Sequence, residues 1–528
     1  MRVLVGDTWR DGFLDEHREP EQFRIDVEVW IALAPVREVY FEPPRDWRRV
    51  AQYVREFGVA RTFHKVRSRL REAARNERFL CAGVGRVREG DLAGAFPPGQ
   101  RVAFVAPCHP RGAERVCLPG ELLRREHETL STLVGAEGHL RHVVTSGPLD
   151  DAGERVAGWH ARSGVPLEAS DVDAVLDEAA RRASDAVTTF SGVPTGSDVV
   201  TRVPARGASS GRRRAIVFGL GHYAKSNLIP NLASGIEVCE VREIDPLQLG
   251  RIAVEPAPWT VSTDPHLRET DRFDLVCVAG YHDTHADLAI AALRAGARVL
   301  VEKPLVTTRE QLEALLAVER EHPGRLFTCF HKRYNPLNEL AMRDLGVARG
   351  EAVNYQAIVF EVPLPRRHWY RWPTARSRVV SNGCHWIDHF LLLNAWARPR
   401  SHAASLAANG DITLCIELEN GAAATIVLTD HGSARLGVQD YVELRARDVT
   451  VSIRNGAYYA ADSSRGVIRR KRLNQADAYA RMYRNLSGRV LSGEAGDSTE
   501  SIERSAGLML DLEDDLAASR SGRRPRED

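Results

Sequence analysis

Lysine is scarce in this chain. Only Lys65, Lys225, Lys303, Lys332 and Lys471 stand among 72 basic residues, and all the others are arginine. Arginine stays protonated in proteins and presents a wide planar fork. A lysine kept against that bias is therefore a candidate for a site that needs a compact ammonium. Long apolar runs are missing too: none approaches the roughly 20 residues that span a bilayer. The start, MRVLVGDTWRDGFLDEH, turns acidic too early for the apolar core of a signal peptide, so a cytoplasmic protein is expected. Eight cysteines, at 81, 108, 117, 239, 277, 329, 384 and 415, contain no CxxC pair. That spacing points to reduced thiols rather than a disulfide or zinc framework. Cys108 and His109 lack partner ligands, so no metal is expected. A net charge of +1 gives no global pull toward nucleic acid or an anionic membrane, which leaves small molecules as the expected partners.

What the chain does contain is strand, glycine turn and helix in alternation. At 528 residues it is too long for one ordinary domain. VPARGASSGRRR, residues 203–214, has the composition of an exposed linker. After it come an apolar strand at 215–218, the turn Gly219-Leu220-Gly221-His222-Tyr223-Ala224, and strands at 236–245, 274–280, 297–304 and 325–334 with helical segments between them. Short apolar strands alternating with helices predict right-handed βαβ units and a parallel sheet over 215–335. From about residue 350 short strands follow one another at close spacing, as in an open, mostly antiparallel sheet. Helices resume near the end, giving an α+β region over 336–520 and a tail at 521–528. Residues 1–202 suggest a β-rich domain with one amphipathic helix at 171–190.

The turn GLGHYA follows a strand and opens a helix, the context in which a GxGxxA pattern binds a dinucleotide. Gly219 permits the tight turn, Gly221 lets the backbone approach a pyrophosphate, and Ala224 allows close packing of the helix. An acid about 20 residues on should meet the ribose, and Glu243 fits, with Asp245-Pro246 as the following turn. An acid there favours NAD, while Arg242 beside it leaves NADP open.

Together with VAGYHDTHADLAIAALRAG and VLVEKPL, this turn resembles the Gfo/Idh/MocA superfamily of glucose-fructose oxidoreductases and inositol dehydrogenases, over roughly residues 213–520. The resemblance implies a Rossmann domain followed by an α+β open-sheet substrate domain. It implies cofactor contacts from Gly219, Gly221, His222, Tyr223, Ala224, Glu243, Ala279, Tyr281, His282, His285, Glu302 and Lys303. The EKP tripeptide implies a strand end beside the nicotinamide, with a cis proline peptide. Lys303 is then expected to stabilise the substrate oxygen. In the second domain, VVSNGCHWIDHFLLL matches the family helix. His385 falls on its proton-shuttling histidine, while the family's aspartate position holds Ser381, with Asn382 beside it. Without that carboxylate the imidazole should have a lowered pKa, which hinders oxidation of an alcohol more than reduction of a ketone.

FHKRYNP and PLPRRHWYRWP resemble a two-part subgroup of the superfamily and nominate Lys332, Arg333, Tyr334, His368, Trp369, Arg371 and Asp388 as substrate-binding residues. PPGQRVAFVAPCHPRGAERVCLP resembles the GroES-like domain of medium-chain dehydrogenases, without its zinc ligands or nucleotide turn. Residues 1–202 are thus expected to be a degenerate half kept for packing, oligomerisation or substrate capping. The expected function is NAD(P)-dependent hydride transfer on a sugar, sugar nucleotide or cyclitol by a homo-oligomer. An imine reductase or net-nonredox enzyme with tightly held NAD, and a non-catalytic dinucleotide-binding regulator, are the alternatives.

Overall fold

The computed structural model describes residues 2–5, 8–11, 23–37, 54, 77–89, 95–109, 115–125, 127–134, 141–144, 148–161, 166–185, 190–191, 211–221, 223–243, 259–262, 264–268, 271–364, 368–371, 373–433, 437–473 and 478–520. Two compact units emerge. One takes the chain up to Thr201, and the other takes nearly everything from Arg202 onward.

In the first unit, β1 (Arg2–Val5) and β2 (Thr8–Asp11) pair as a hairpin. A seven-stranded sheet follows, built from β3 (Phe23–Arg37), β4 (Glu77–Glu89), β5 (Arg101–His109), β6 (Arg115–Leu118), β7 (Leu123–Arg125), β8 (Arg141–Val144) and β9 (Phe190–Ser191). Its order is β7-β5-β4-β3-β8-β9, with β6 also on β3. Trp30, Leu80 and Phe104 share one core with Val156 of α1 (Asp151–Ala161) and Leu176 of α2 (Ala169–Asp185). The helix expected at 171–190 therefore starts two residues earlier and ends at Asp185.

The second unit opens with β10 (Arg213–Phe218). It joins β11 (Ile236–Arg242), β12 (Thr260–Ser262), β13 (Leu275–Val278), β14 (Arg298–Val301) and β15 (Leu326–Thr328) in an all-parallel sheet of order β12-β11-β10-β13-β14-β15. This is the doubly wound order, with its switch point between β10 and β13. Residues 275–278 are buried throughout, as expected for a central parallel strand covered on both faces, and the edge strand at 326–328 is buried as well. Helices α3 (His285–Arg294) and α4 (Arg309–Glu321) pack on it. In α3 the buried set Ala286, Ala289, Ile290 and Leu293 recurs at helical spacing. The Thr308 side chain caps α4 by accepting from Gln311 N at 3.2 Å.

Two expectations are corrected here. Arg213 and Arg214, assigned to the linker, already belong to β10, because Arg213 N donates to Gly235 O and Arg214 N to the Asp274 carboxylate. The strand expected over 325–334 stops at Thr328, and His331–Tyr334 is a 3-10 turn. Asp497 ends the strand by accepting from both Thr328 N and Thr328 Oγ1. Its neighbour Gly496 lies so close to β15 that a Cβ there would fall 2.1 Å from Leu326 O.

After α5 (Leu337–Leu345) comes an eight-stranded sheet: β16 (Asn354–Phe360), β17 (Pro399–Leu406), β18 (Ile412–Leu418), β19 (Ala423–Thr429), β20 (Gln439–Ala446), β21 (Val449–Arg454), β22 (Tyr458–Ser463) and β23 (Gly466–Arg472). Its order is β17-β18-β19-β16-β20-β21-β22-β23, antiparallel except between β16 and β19. Exposed and buried residues alternate along β16 and β19, so one face covers the core. Helix α6 (Cys384–Leu393) lies in that core, with α7 (Ala478–Ser492) and α8 (Thr499–Arg520) closing the unit.

Asn394, fully buried just after α6, holds this helix end to β16. Its Oδ1 accepts from Val353 N at 2.9 Å, and its Nδ2 donates to Val353 O at 3.1 Å and Phe390 O at 3.0 Å. Asn394→Ala leaves both polar groups of Val353 unpaired in the core and is expected to cost about 2–4 kcal/mol. Urea unfolding of the two proteins measures it.

Candidate active site

The strand ends of the parallel sheet form the first half of the site. Gly219 takes φ +88°, and a Cβ on it would lie 2.4 Å from Ala279 O, so only glycine fits this turn. A Cβ on Gly221 would meet nothing within 4 Å, which leaves open space beside that backbone. Ala224 is buried at the start of the next helical turn, as its packing role requires. Glu243, at the end of β11, reaches back to the same turn and accepts from Leu220 N at 2.5 Å. His222 lies outside the described residues.

Arg242, the residue that left NADP open, is committed elsewhere. It is 1% exposed, bonds Glu240 at 2.7 Å and Asp271 at 2.6 Å, and donates to His266 O. A guanidinium so placed serves the fold.

The turn after β13 carries Ala279, Tyr281, His282 and His285. Ala279 N donates to Phe218 O at 2.8 Å, which joins this turn to the glycine turn. Tyr281 and His282 meet Trp369 edge-on at ring separations of 5.1 and 4.6 Å. His285 is a brace: its ring lies 2.7 Å from Pro304 O and 3.2 Å from Gly280 O, and burial holds its pKa below the ordinary imidazole value.

The Lys303–Pro304 peptide is cis. Glu302 is buried and accepts from Tyr223 Oη at 3.0 Å and from Tyr483 Oη. Burial pushes this carboxyl upward, and the Tyr483 bond and the Lys303 charge oppose it. Tyr223, expected at the cofactor, thus spends its hydroxyl on Glu302.

Lys303 reaches across to the second half of the site. Its ammonium donates to Ser381 O at 2.7 Å and lies 5.5 Å from the centre of the Tyr370 ring. Burial alone would lower its pKa, but the electrostatic pull of the acidic groups around it, Tyr370, Cys384 and Glu302, outweighs burial and holds it above the ordinary lysine value. Ser381 sits in a π-helical turn (Val379–Gly383) that runs directly into α6, and His385 follows one turn later. His385 is 4% exposed, and no hydrogen bond meets its Nδ1. Its ring lies 4.5 Å from that of His331, which in turn lies 4.8 Å from Tyr479 of α7. Burial first, then the charges around them, drive both imidazoles well below their ordinary pKa.

Several residues nominated for substrate binding are engaged within the protein. Arg333 grips Asp388 at 2.5 and 2.9 Å and meets Asp497 at 3.0 Å, and Ser505 donates to Asp388 at 2.6 Å. Lys332 donates to Asp440, which also accepts from Trp386 Nε1 at 3.1 Å. Burial raises Tyr334 above the usual phenol range. Trp369 packs on His282, Arg371 is exposed, and His368 falls in the first compact unit.

Four residues near the centre were not anticipated: His331, Tyr370, Tyr479 and Tyr483. A usable sign existed for the last two, since AYARMYRNLSG places tyrosines four apart on one helix face.

Comparison with known proteins agrees with this geometry. Residues 213–330 match the family model described as "Oxidoreductase family, NAD-binding Rossmann fold", the Gfo/Idh/MocA family. Over these residues the chain is similar to that family. Among curated relatives, the uncharacterized oxidoreductase YdgJ of Escherichia coli is 33% identical over 173 residues, 32% of this chain and 47% of that protein. Inositol 2-dehydrogenase 2 of Saccharopolyspora erythraea is 36% identical over 126 residues, 23% of this chain and 37% of that protein. The dTDP-3,4-didehydro-2,6-dideoxy-alpha-D-glucose 3-reductase of Actinomadura kijaniata is 39% identical over 104 residues, 19% and 31% of the two chains. The matches thus span less than half the length of each of these relatives.

An NAD-binding Rossmann region fits what the residues provide. Gly219 makes the turn, the space at Gly221 admits a phosphate, and Glu243 closes on the turn from the neighbouring strand.

The buried histidines make a testable statement about stability. Burial depresses His389 to about 3, with Tyr355 Oη 3.1 Å and Asn338 Oδ1 3.0 Å from its ring. A histidine depressed in the folded state is protonated first in the unfolded chain. It therefore costs stability as pH falls through about 6.5, at about 1.4 kcal/mol per pH unit. Between pH 6.5 and 5 the native protein is expected to lose about 2 kcal/mol more than His389→Gln, as followed by denaturant unfolding at each pH.

Proposed function

We propose that this protein is an NAD-dependent oxidoreductase that transfers a hydride between nicotinamide and a secondary alcohol or ketone carbon of a sugar, sugar nucleotide or cyclitol. The observation that carries the proposal is the bond from Lys303 Nζ to Ser381 O. It sets an ammonium from the Rossmann strand end one helical turn from His385. When bound, the dinucleotide supplies or accepts the hydride. The chain's own residues do the rest. Lys303, kept charged, stabilises negative charge developing on the substrate oxygen. His385 exchanges the proton of that oxygen. An imidazole of depressed pKa is a weak base toward an alcohol and a strong acid once protonated, which favours reduction. The inositol dehydrogenase and deoxysugar reductase among the relatives support a polyhydroxylated substrate.

The commitment of Arg242 to Glu240 and Asp271, with Glu243 on the glycine turn, favours NAD over NADP. Residues 1–202 we read as a degenerate GroES-like half serving packing, oligomerisation or substrate capping, in a cytoplasmic homo-oligomer.

Calorimetric titration with each dinucleotide is the first test. NAD is expected to bind at least about tenfold more tightly than NADP, and Gly219→Ala is expected to bind neither, since its Cβ would strike Ala279 O. Binding of neither by the native protein overturns the proposal. With a substrate found by screening sugar nucleotides and inositols, Lys303→Ala should lower kcat by about 10²–10³ while still binding NAD. NAD that copurifies and never exchanges would point instead to the net-nonredox alternative.

A further inference from the structure

We propose that His331 is a second acid–base residue of this site, sharing a single proton with His385 and passing it between that buried ring and solvent. The inference rests on the proposed function only for the use to which the proton is put.

The geometry carries it. The two rings meet edge-on with centres 4.5 Å apart, and each has a buried Nδ1 that no hydrogen bond satisfies. His385 is 4% exposed, while His331, on the 3-10 turn after β15, is only partly buried, so the pair has an inner and an outer member. No carboxylate among the described residues hydrogen-bonds either ring. The position where an acid was expected holds Ser381, and its carbonyl is taken by Lys303. The acids on neighbouring elements are committed, Asp388 to Arg333 and Asp440 to Lys332. The groups that face the pair are Lys303 from the end of β14, Lys332 from the turn of His331 itself, Tyr479 from α7, and His389 one turn along α6.

Two imidazoles in ring contact, with the ammonium groups of Lys303 and Lys332 acting on them and no carboxylate among the described residues bonded to either ring, cannot accept a proton each. One proton is the most the pair can hold, and either ring can hold it. Reduction of a carbonyl consumes one hydride and one proton. The proton leaves His385 for the new hydroxyl, His331 restores it to His385, and water recharges His331.

The test needs no substrate. The full chain, labelled with ¹⁵N-histidine and saturated with NAD, is titrated by NMR, and the two rings are assigned with His331→Phe and His385→Phe. If they share one proton, each ring of the native protein shows only part of the full imidazolium shift in that step, and in each single variant the remaining ring takes the proton alone and shows the shift in full. A His385 transition of unchanged amplitude and midpoint in His331→Phe overturns the proposal. Should the phenylalanine variant fail to fold, His331→Asn is the replacement, with the same two outcomes. Once a substrate is in hand, His331→Ala should lose at least tenfold in kcat and recover it with added imidazole, while KM stays near native. Loss without rescue would mean a structural role. NAD titration of the same samples keeps the two questions apart, since failure to bind dinucleotide sinks the proposed function and leaves the titration result standing.

Discussion

Lys303 cannot keep its charge at the end of a buried strand unless something other than water shares it, and much of the second unit is arranged around that requirement. The ammonium donates to Ser381 O and faces the Tyr370 ring, and the carboxylate beside it, Glu302, is stabilised by Tyr223 and Tyr483. Segments at 223, 302–303, 370–381 and 483 thus converge on two adjacent residues. Removing one member of such a group strands a buried charge, at a cost of about 3–5 kcal/mol. The same bond ties this strand end to α6, because Ser381 lies in the turn that leads into that helix and His385 follows one turn later.

Much of this was legible in the sequence, for physical reasons. Strands buried on both faces must be continuous apolar runs, so β10, β13 and β14 could be read directly from their composition. The tight turn at Gly219 admits no other residue, and Ser381 at the position of the family's acid was visible in the stretch VVSNGCHWIDHFLLL itself. What could not be read was the direction of long polar side chains. Arg333 next to an aromatic-rich segment suggests a ligand, but its guanidinium turns to Asp388 and Asp497, residues 55 and 164 positions away in the chain. Tyr223 stands in the dinucleotide turn and spends its hydroxyl on Glu302. The strand expected through 334 ends at Thr328 because Asp497, far along the sequence, takes its last polar groups. In each case the deciding partner is distant, and no local pattern encodes it.

The bias toward arginine sharpens the contrast among the cations that remain. Arg242 and Arg333 each meet two or more carboxylates, as rigid forks with several donors can. Lys332 meets one, Asp440, with the Trp386 ring beneath it at 4.6 Å. Lys303 meets none by hydrogen bond among the described residues; its acceptor is a neutral carbonyl. An ammonium paired with a carboxylate has its field largely cancelled at short range, whereas one held by a carbonyl keeps most of it. Scarcity of lysine nominates five residues, and the identity of the acceptor separates Lys303 from Lys332. A positive charge held by a carbonyl is what the proposed stabilisation of a forming alkoxide requires, and a carboxylate in place of the Ser381 carbonyl would largely cancel it.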